Sequence, residues 1–106
     1  MNEIVNKDEQ IVWDVLQPIQ DPELGASIVD LGLIYRVAVK DNQVIVTMTF
    51  TTPLCPFGQT LIESVRSAVK KLGMQVKVDI TFDPPWGIDK IKPELREQFM
   101  FPQDVI

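Results

Sequence analysis

The eight residues Thr51-Thr52-Pro53-Leu54-Cys55-Pro56-Phe57-Gly58 stand where the hydrophobic period of the chain changes. Before them, Val44, Val46, Met48 and Phe50 alternate with Ile45, Thr47 and Thr49, the period of a strand with one buried face. After them, Leu61, Ile62, Val65, Ala68, Val69 and Leu72 recur at helical spacing between Gln59 and Leu72, and Gly73 supplies a stop. A strand ends and a helix begins around the single cysteine of the chain. Proline pushes the residue before it out of helical space and is itself welcome at the first helical position. The sequence therefore predicts Cys55 as the N-cap and Pro56 as the first helical residue. In that position, unpaired N–H groups and the positive helix end favour a thiolate. The plainer reading is a small apolar side chain packed in a loop. The sequence leaves both open.

The strand that ends at Thr51 starts at Gln43, just after Asp41-Asn42, two residues that tolerate positive φ and fit a two-residue hairpin turn. Its hairpin partner spans Ile28 to Lys40. Leu33, Tyr35, Val37 and Val39 are expected on one face, and Ile34, Arg36, Ala38 and Lys40 on the other. A bulge is expected where Asp30-Leu31-Gly32 interrupts the run. Upstream, Asn6 and Glu9 have the spacing of a capping box. Val12, Val15, Leu16 and Ile19 then mark a helix from Lys7 to Gln17, ended by Pro18. Downstream, Val76, Val78, Ile80 and Phe82 alternate with Lys77, Asp79 and Thr81 in a third strand from Gln75 to Phe82, which Asp83-Pro84-Pro85-Trp86-Gly87 stops. A short helix from Pro93 to Phe99 follows, with Leu95 and Phe99 paired at i,i+4. All three strands alternate, so one face of the sheet is buried. The expected fold is a two-layer α/β (α+β) sandwich in the order α-β-β-α-β. It has a three-stranded mixed sheet covered by helices on one face, a short C-terminal helix, and a single domain over residues 1–106.

Composition bounds the chemistry. A 106-residue chain with 45% hydrophobic and 24% charged residues is an ordinary globular domain. A net charge of −5 without a basic cluster argues against nucleic acid and anionic membranes as partners. No apolar run reaches the roughly 20 residues that span a bilayer. Met1 to Gln10 lacks the pattern of a signal peptide, and with one unpaired cysteine the expected location is the reducing cytoplasm. There is no histidine, which removes Ser-His-Asp and Cys-His catalysis within one chain. One cysteine and no histidine also fall short of a structural zinc site or the thiolates of an iron–sulfur cluster. Such a metal would need ligands from another molecule.

The expected topology gathers the loops. A hairpin returns the second strand to the start of the first, and a strand–helix–strand crossover makes the third parallel to the second. One rim should then collect Asp21, Glu23, Asp30, Thr52, Cys55, Pro56, Pro85 and Trp86. Ligand sites of open α/β sheets favour the carboxyl ends of parallel strands. The carboxylates also have bland explanations: Asp21 and Glu23 as solvated loop carboxylates, Asp30 as the cap of a neighbouring turn. The rim offers a thiol, carboxylates and an indole, but no general base with a pKa near neutrality.

Asp21-Pro22-Glu23, Ile28-Val29-Asp30-Leu31-Gly32-Leu33, Thr52-Pro53-Leu54-Cys55-Pro56 and Asp83-Pro84-Pro85-Trp86, in this order and spacing, closely resemble the SufT/PaaD-like metal–sulfur cluster assembly factors. That group includes the cytosolic iron–sulfur targeting proteins of eukaryotes. The resemblance runs from Asn6 to Phe99. It implies the α-β-β-α-β fold and a non-catalytic part in the maturation of iron–sulfur proteins. It carries the cluster or thiol role to Cys55, the acidic turn to Asp21 and Glu23, and the rim aspartate to Asp30. It implies iron–sulfur assembly proteins and client apo-proteins as partners. The implied cofactor is at most a transient iron–sulfur cluster or iron, bound through Cys55 only with ligands from another molecule.

The sequence departs from part of that group. Subunits that accompany phenylacetyl-CoA oxygenase carry an added cysteine-rich C-terminal region; this sequence ends at Ile106 with no second cysteine, which weighs against that role. The extra N-terminal or ATPase domains of other relatives are also not in it, so any nucleotide-driven step is expected in a partner.

Three functional readings follow. The first is a maturation factor using Cys55 at a subunit or partner contact. The second is a metal-free adapter that recruits client proteins, or a subunit of a multicomponent enzyme. The third, a thiol enzyme or redox protein, lacks both histidine and a resolving cysteine. Two surfaces are candidates for a homodimer: the outer sheet face with Ile34, Ile45 and a row of threonines, and the apolar tail from Phe99 to Phe101.

Overall fold

The computed structural model describes the backbone of residues 7–54 and 56–100, and the side chains of 8–54 and 56–97. Helix α1 (Lys7–Leu16) leads into a two-stranded hairpin, β1 (Gln20–Asp21) and β2 (Ala26–Ser27). The main sheet follows with β3 (Ile34–Lys40) and β4 (Gln43–Met48), then α2 (Gly58–Lys70), β5 (Gln75–Ile80), a 3-10 turn at Ile88–Lys90 and α3 (Pro93–Met100). The capping residue expected at Asn6, the side chain of Phe99 and the tail from Phe101 lie outside the described residues.

The strand order is β3-β4-β5, with β3 and β4 antiparallel and β4 and β5 parallel. Asp41 and Asn42 take φ of 50° and 66°, the paired left-handed residues whose twist matches that of the flanking strands. From β4, Val44, Val46 and Met48 are fully buried between the sheet and Val12 and Leu16 of α1 and Leu61, Val65 and Val69 of α2. Full burial of a Val- or Leu-sized side chain is worth roughly 1.5–3 kcal/mol, so this single apolar layer dominates the fold's stability. α1 packs on α2 and β3, and α2 packs on β5, so both helices share one sheet face. The two-layer α-β-β-α-β arrangement is the one the alternation predicts, with the β1–β2 hairpin added.

Three local expectations need correction. The first strand begins at Ile34, not Ile28. Residues 28–32 instead form successive turns, with Leu31 N donating to Ser27 O and Leu33 N to Ile28 O, and Gly32 in the left-handed region at φ +74°. The bulge therefore lies further on. Ile34 pairs with Met48 and Arg36 with Thr47, which leaves Tyr35 as the extra residue. One extra residue reverses the alternation before it, so Ile34 points into the core at 6% exposure rather than to the outer face. That removes Ile34 from the outer surface considered for a dimer.

The third correction concerns the start of α2. Its N-cap is Phe57, with φ −102° and ψ 12°, and Gly58 is its first residue. Pro56 lies in the preceding turn. The Phe50 ring fixes this boundary: a Cβ on Gly58 would sit 2.9 Å from Phe50 Cζ, so the helix lays its backbone on the ring at the one residue without a side chain. Cys55 does not cap the helix, and the thiolate argument that needed it there does not carry over. Cys55 itself lies outside the described residues.

Candidate functional site

Register places the rim. Ile34, Met48 and Ile80 form one cross-strand row, so β3 starts where β4 and β5 both end. Everything that follows β4 and β5, and everything that precedes β3, leaves the sheet at this edge. That brings the Asp30–Gly32 turn, the Thr49–Phe57 connection and the Phe82–Gly87 segment to one end of the molecule.

Two hydrogen bonds lash the proline-rich segment to the start of β3. Trp86 Nε1–H donates to Leu31 O at 2.7 Å, and the Tyr35 hydroxyl donates to Pro84 O at 2.9 Å. The Trp86 ring is half-buried against the core, while Pro85 is exposed. Tyr35 reaches Pro84 because the bulge turns it out of the core. Burial raises its phenol pKa above the ordinary value, the Asp89 carboxylate adds to the rise, and a bond with the Thr49 hydroxyl opposes it. Lys90 Nζ lies 5.4 Å from the centre of the Tyr35 ring, a cation–π contact from the segment leading into α3.

Two of the three rim carboxylates, Asp21 and Asp30, are structurally engaged. Asp21 is 1% exposed, and its Oδ1 accepts from Glu23 N at 2.7 Å and Leu24 N at 3.2 Å. That is an Asx turn closing the β1–β2 hairpin, and Gly25 completes it with φ +67°. Glu23 is exposed in the same turn. Asp30 Oδ1 accepts from Gln17 Nε2 at 3.0 Å and meets Lys92 Nζ at 3.5 Å, tying the end of α1 to the approach of α3. Thr52 Oγ1 accepts from Leu54 N at 3.3 Å, a local turn before the cysteine. The structure thus bonds Trp86 to the Leu31 carbonyl, next in sequence to Asp30, whose own side chain turns to Gln17 and Lys92; Asp21 and Glu23 form their own turn, and Thr52 bonds within its loop. Among the described residues, no three His, Cys, Asp or Glu side chains converge as a metal site would require.

The rim also exposes large apolar side chains. Leu54 is 85% exposed and Phe57 38%, flanking Cys55 in sequence. Phe82 is 39% exposed and stacks at a tilt on Phe50, with ring centroids 6.2 Å apart. Phe50 in turn supports Gly58, so these residues form one neighbourhood at the start of α2. The alternation placed Phe82 inward, but β5 ends at Ile80 and releases it. Leu54 and Phe57 carried no periodic signal; the clue was their apolarity within a proline-rich turn.

The sequence model of the iron–sulfur cluster assembly protein family matches residues 9–82, most of the chain. The chain belongs to that family. It is 44% identical over 96 residues to a protein of Porphyromonas gingivalis named Fe-S protein maturation auxiliary factor, covering 88% of this chain and 90% of the relative. It is 42% identical over 72 residues to the Fe-S protein maturation auxiliary factor SufT of Staphylococcus aureus, covering 65% of this chain and 82% of that one. Its fold is shared by a solved structure of a conserved hypothetical protein from Thermotoga maritima, with a TM-score of 0.76 at 40% identity, covering 94% of this chain and 99% of the other. No helix among the described residues is long and apolar enough to cross a membrane.

Proposed function

We infer that this chain is an accessory factor in the maturation of iron–sulfur proteins, acting by contact with assembly proteins and client apo-proteins rather than by catalysis of its own. The observation that carries this reading is the family match over residues 9–82, supported by relatives named as maturation auxiliary factors. Within it, Cys55 is the residue that meets the cluster or the client, and the rim of Thr52, Pro56, Asp30, Pro85 and Trp86 holds its surroundings in place. A cluster or an iron ion is cargo here, and one thiol supplies at most one of the ligands it needs. The remaining ligands come from a second copy or from the partner.

The exposure of Leu54 and Phe57 supports an adapter component in the same reading. Large apolar side chains displayed beside the cysteine suit a protein contact better than a closed metal pocket. Two measurements test the proposal. In cells lacking the chain, iron–sulfur enzyme activity should fall and be restored by the wild-type sequence. Anaerobically purified protein, reconstituted with iron and sulfide, should hold a cluster only as a multimer or with a thiol-bearing partner. Intact iron–sulfur enzyme activity in the deletion strain would overturn the accessory role.

A further inference from the structure

The open face of the sheet, away from both helices, differs in charge from the molecule as a whole. Its outward rows are read from the register: Arg36, Thr47 and Asp79; Ala38, Ile45 and Lys77; Lys40, Gln43 and Gln75. Three cations face one carboxylate, on a chain of net charge −5. Asp79 is already engaged, 3.8 Å from Lys77 Nζ. Elsewhere the cations have work: Arg66 meets Glu63, Lys92 meets Asp30, and Lys90 lies over Tyr35. Arg96 donates to the Asp89 and Ile91 carbonyls, and Lys70 and Lys71 sit at the carbonyl end of α2, where positive charge is favoured. Among the described side chains, Arg36 and Lys40 remain. Both are exposed, and among the described residues neither has a carboxylate or aromatic partner.

Both lie on β3, an edge strand, four residues apart on the same face and so about 13 Å apart at the usual rise. An edge strand presents unpaired backbone groups that a further strand can complete. A shallow depression of about 300 Å³ lies on the open face at the hairpin end of the sheet, bordered by Ala38, Lys40, Asp41, Ile45 and Gln75. We propose that the β3 edge, bracketed by Arg36 and Lys40, accepts an added strand from an acidic segment of a partner protein. Charge complementarity decides the occupant. A second copy pairing β3 with β3 would set Arg36 and Lys40 against the same cations, which is unfavourable for directly opposed residues. A strand with carboxylates at i and i+4 on one face meets both. This surface is separate from the rim and stands whether or not the maturation reading holds.

The test uses the full chain, labelled with nitrogen-15, and a synthetic nine-residue peptide of alternating Val and Thr with two Glu four residues apart. Amide shift changes and slowed hydrogen exchange should be confined to residues 34–40. Affinity should fall at least tenfold for Arg36→Gln/Lys40→Gln, and at least as much for the peptide with Lys in place of Glu. Arg36→Glu/Lys40→Glu should abolish binding, with an unchanged circular dichroism spectrum confirming the fold. Equal binding of the Lys peptide, perturbation centred on Lys70 and Lys71, or no perturbation at millimolar peptide would overturn the proposal. So would a dimer in solution whose interface is the β3 edge.

Discussion

The Trp86 indole donates its N–H to the Leu31 carbonyl oxygen at 2.7 Å, joining the segment that follows β5 to the turn that precedes β3. Leu31 is fully buried and Trp86 is half-buried, so losing this bond leaves a carbonyl with poor access to water. Trp86→Phe keeps most of the packing and removes the donor. It should cost about 1–3 kcal/mol. For a domain of this size that is roughly 4–8 °C of Tm per kcal/mol, measurable by thermal circular dichroism. An unchanged Tm would mean the indole contributes by packing alone.

Gly32 and Gly25 separate two reasons for glycine. Both have positive φ, +74° and +67°. A Cβ on Gly25 meets nothing within 4 Å, whereas one on Gly32 would overlap the Lys90 carbonyl. Gly25→Ala should cost only the backbone term of about 1–2 kcal/mol. Gly32→Ala adds a clash with main chain, which overpacking data put at a further ~1–3 kcal/mol, and it should push Lys90 away from the Tyr35 ring. Urea denaturation of the two variants should show the larger midpoint shift for Gly32→Ala. Equal shifts would contradict the close approach of the two segments.

Tyr35 is the only tyrosine, so absorbance at the tyrosinate band reports it without interference. Burial first, and then the Asp89 carboxylate, raise its folded pKa above the ordinary value of about 10. The neutral phenol is also the form that donates to Pro84 O. A folded pKa above the unfolded one means the contribution to stability is complete below the unfolded pKa and is lost as pH rises through the folded one. Stability should therefore hold at neutral pH and decline above about pH 10. Tyr35→Phe should be less stable at pH 7 by about 1 kcal/mol and lose part of the alkaline decline. A tyrosinate titration at the free-phenol value would show that burial does not act on it.

How much of this was legible follows from what periodicity can report. Val44, Val46 and Met48 alternate without interruption on the central strand, and they gave its facing, its neighbours and the one-sided sheet. Asp41-Asn42 announced the hairpin because few residue pairs accept two positive φ values. The register of β3 was not legible. Tyr35 is an inserted residue in a run that reads as regular, and only the pairing with Thr47 and Met48 reveals it. The start of α2 is hidden from local sequence for a similar reason. Pro56 is a good local signal, but contact between Gly58 and Phe50 decides the boundary, and that contact is tertiary. At the rim, charge alone leaves Asp21 as a site residue or a solvated carboxylate. Its two accepted backbone N–H groups make it the cap of a turn that Asp-Pro-Glu-Leu-Gly spells out locally. The indole-to-Leu31 bond spans 55 residues and had no local signal at all.

Cys55 carries the functional prediction. Its sequence neighbours Leu54 and Pro56 are exposed. Cys55→Ser should keep its stability to within about 0.5 kcal/mol if, as proposed, the thiol serves at the rim and not in the core. The same variant should fail to restore iron–sulfur enzyme activity in a deletion strain. Leu54→Ser provides the contrast: it leaves the thiol in place and removes the most exposed apolar side chain beside it. If the rim works by docking as well as by ligation, Leu54→Ser should weaken client binding, while Cys55→Ser should retain binding and lose cluster delivery. Reconstitution with iron and sulfide settles the ligand count. One cluster per two chains, or per chain–partner pair, and none in Cys55→Ser, is the expected result. A stable cluster on a monomeric chain without added thiol would be incompatible with a single cysteine and no histidine, and a Cys55→Ser variant that restored full activity would reduce the residue to a loop position.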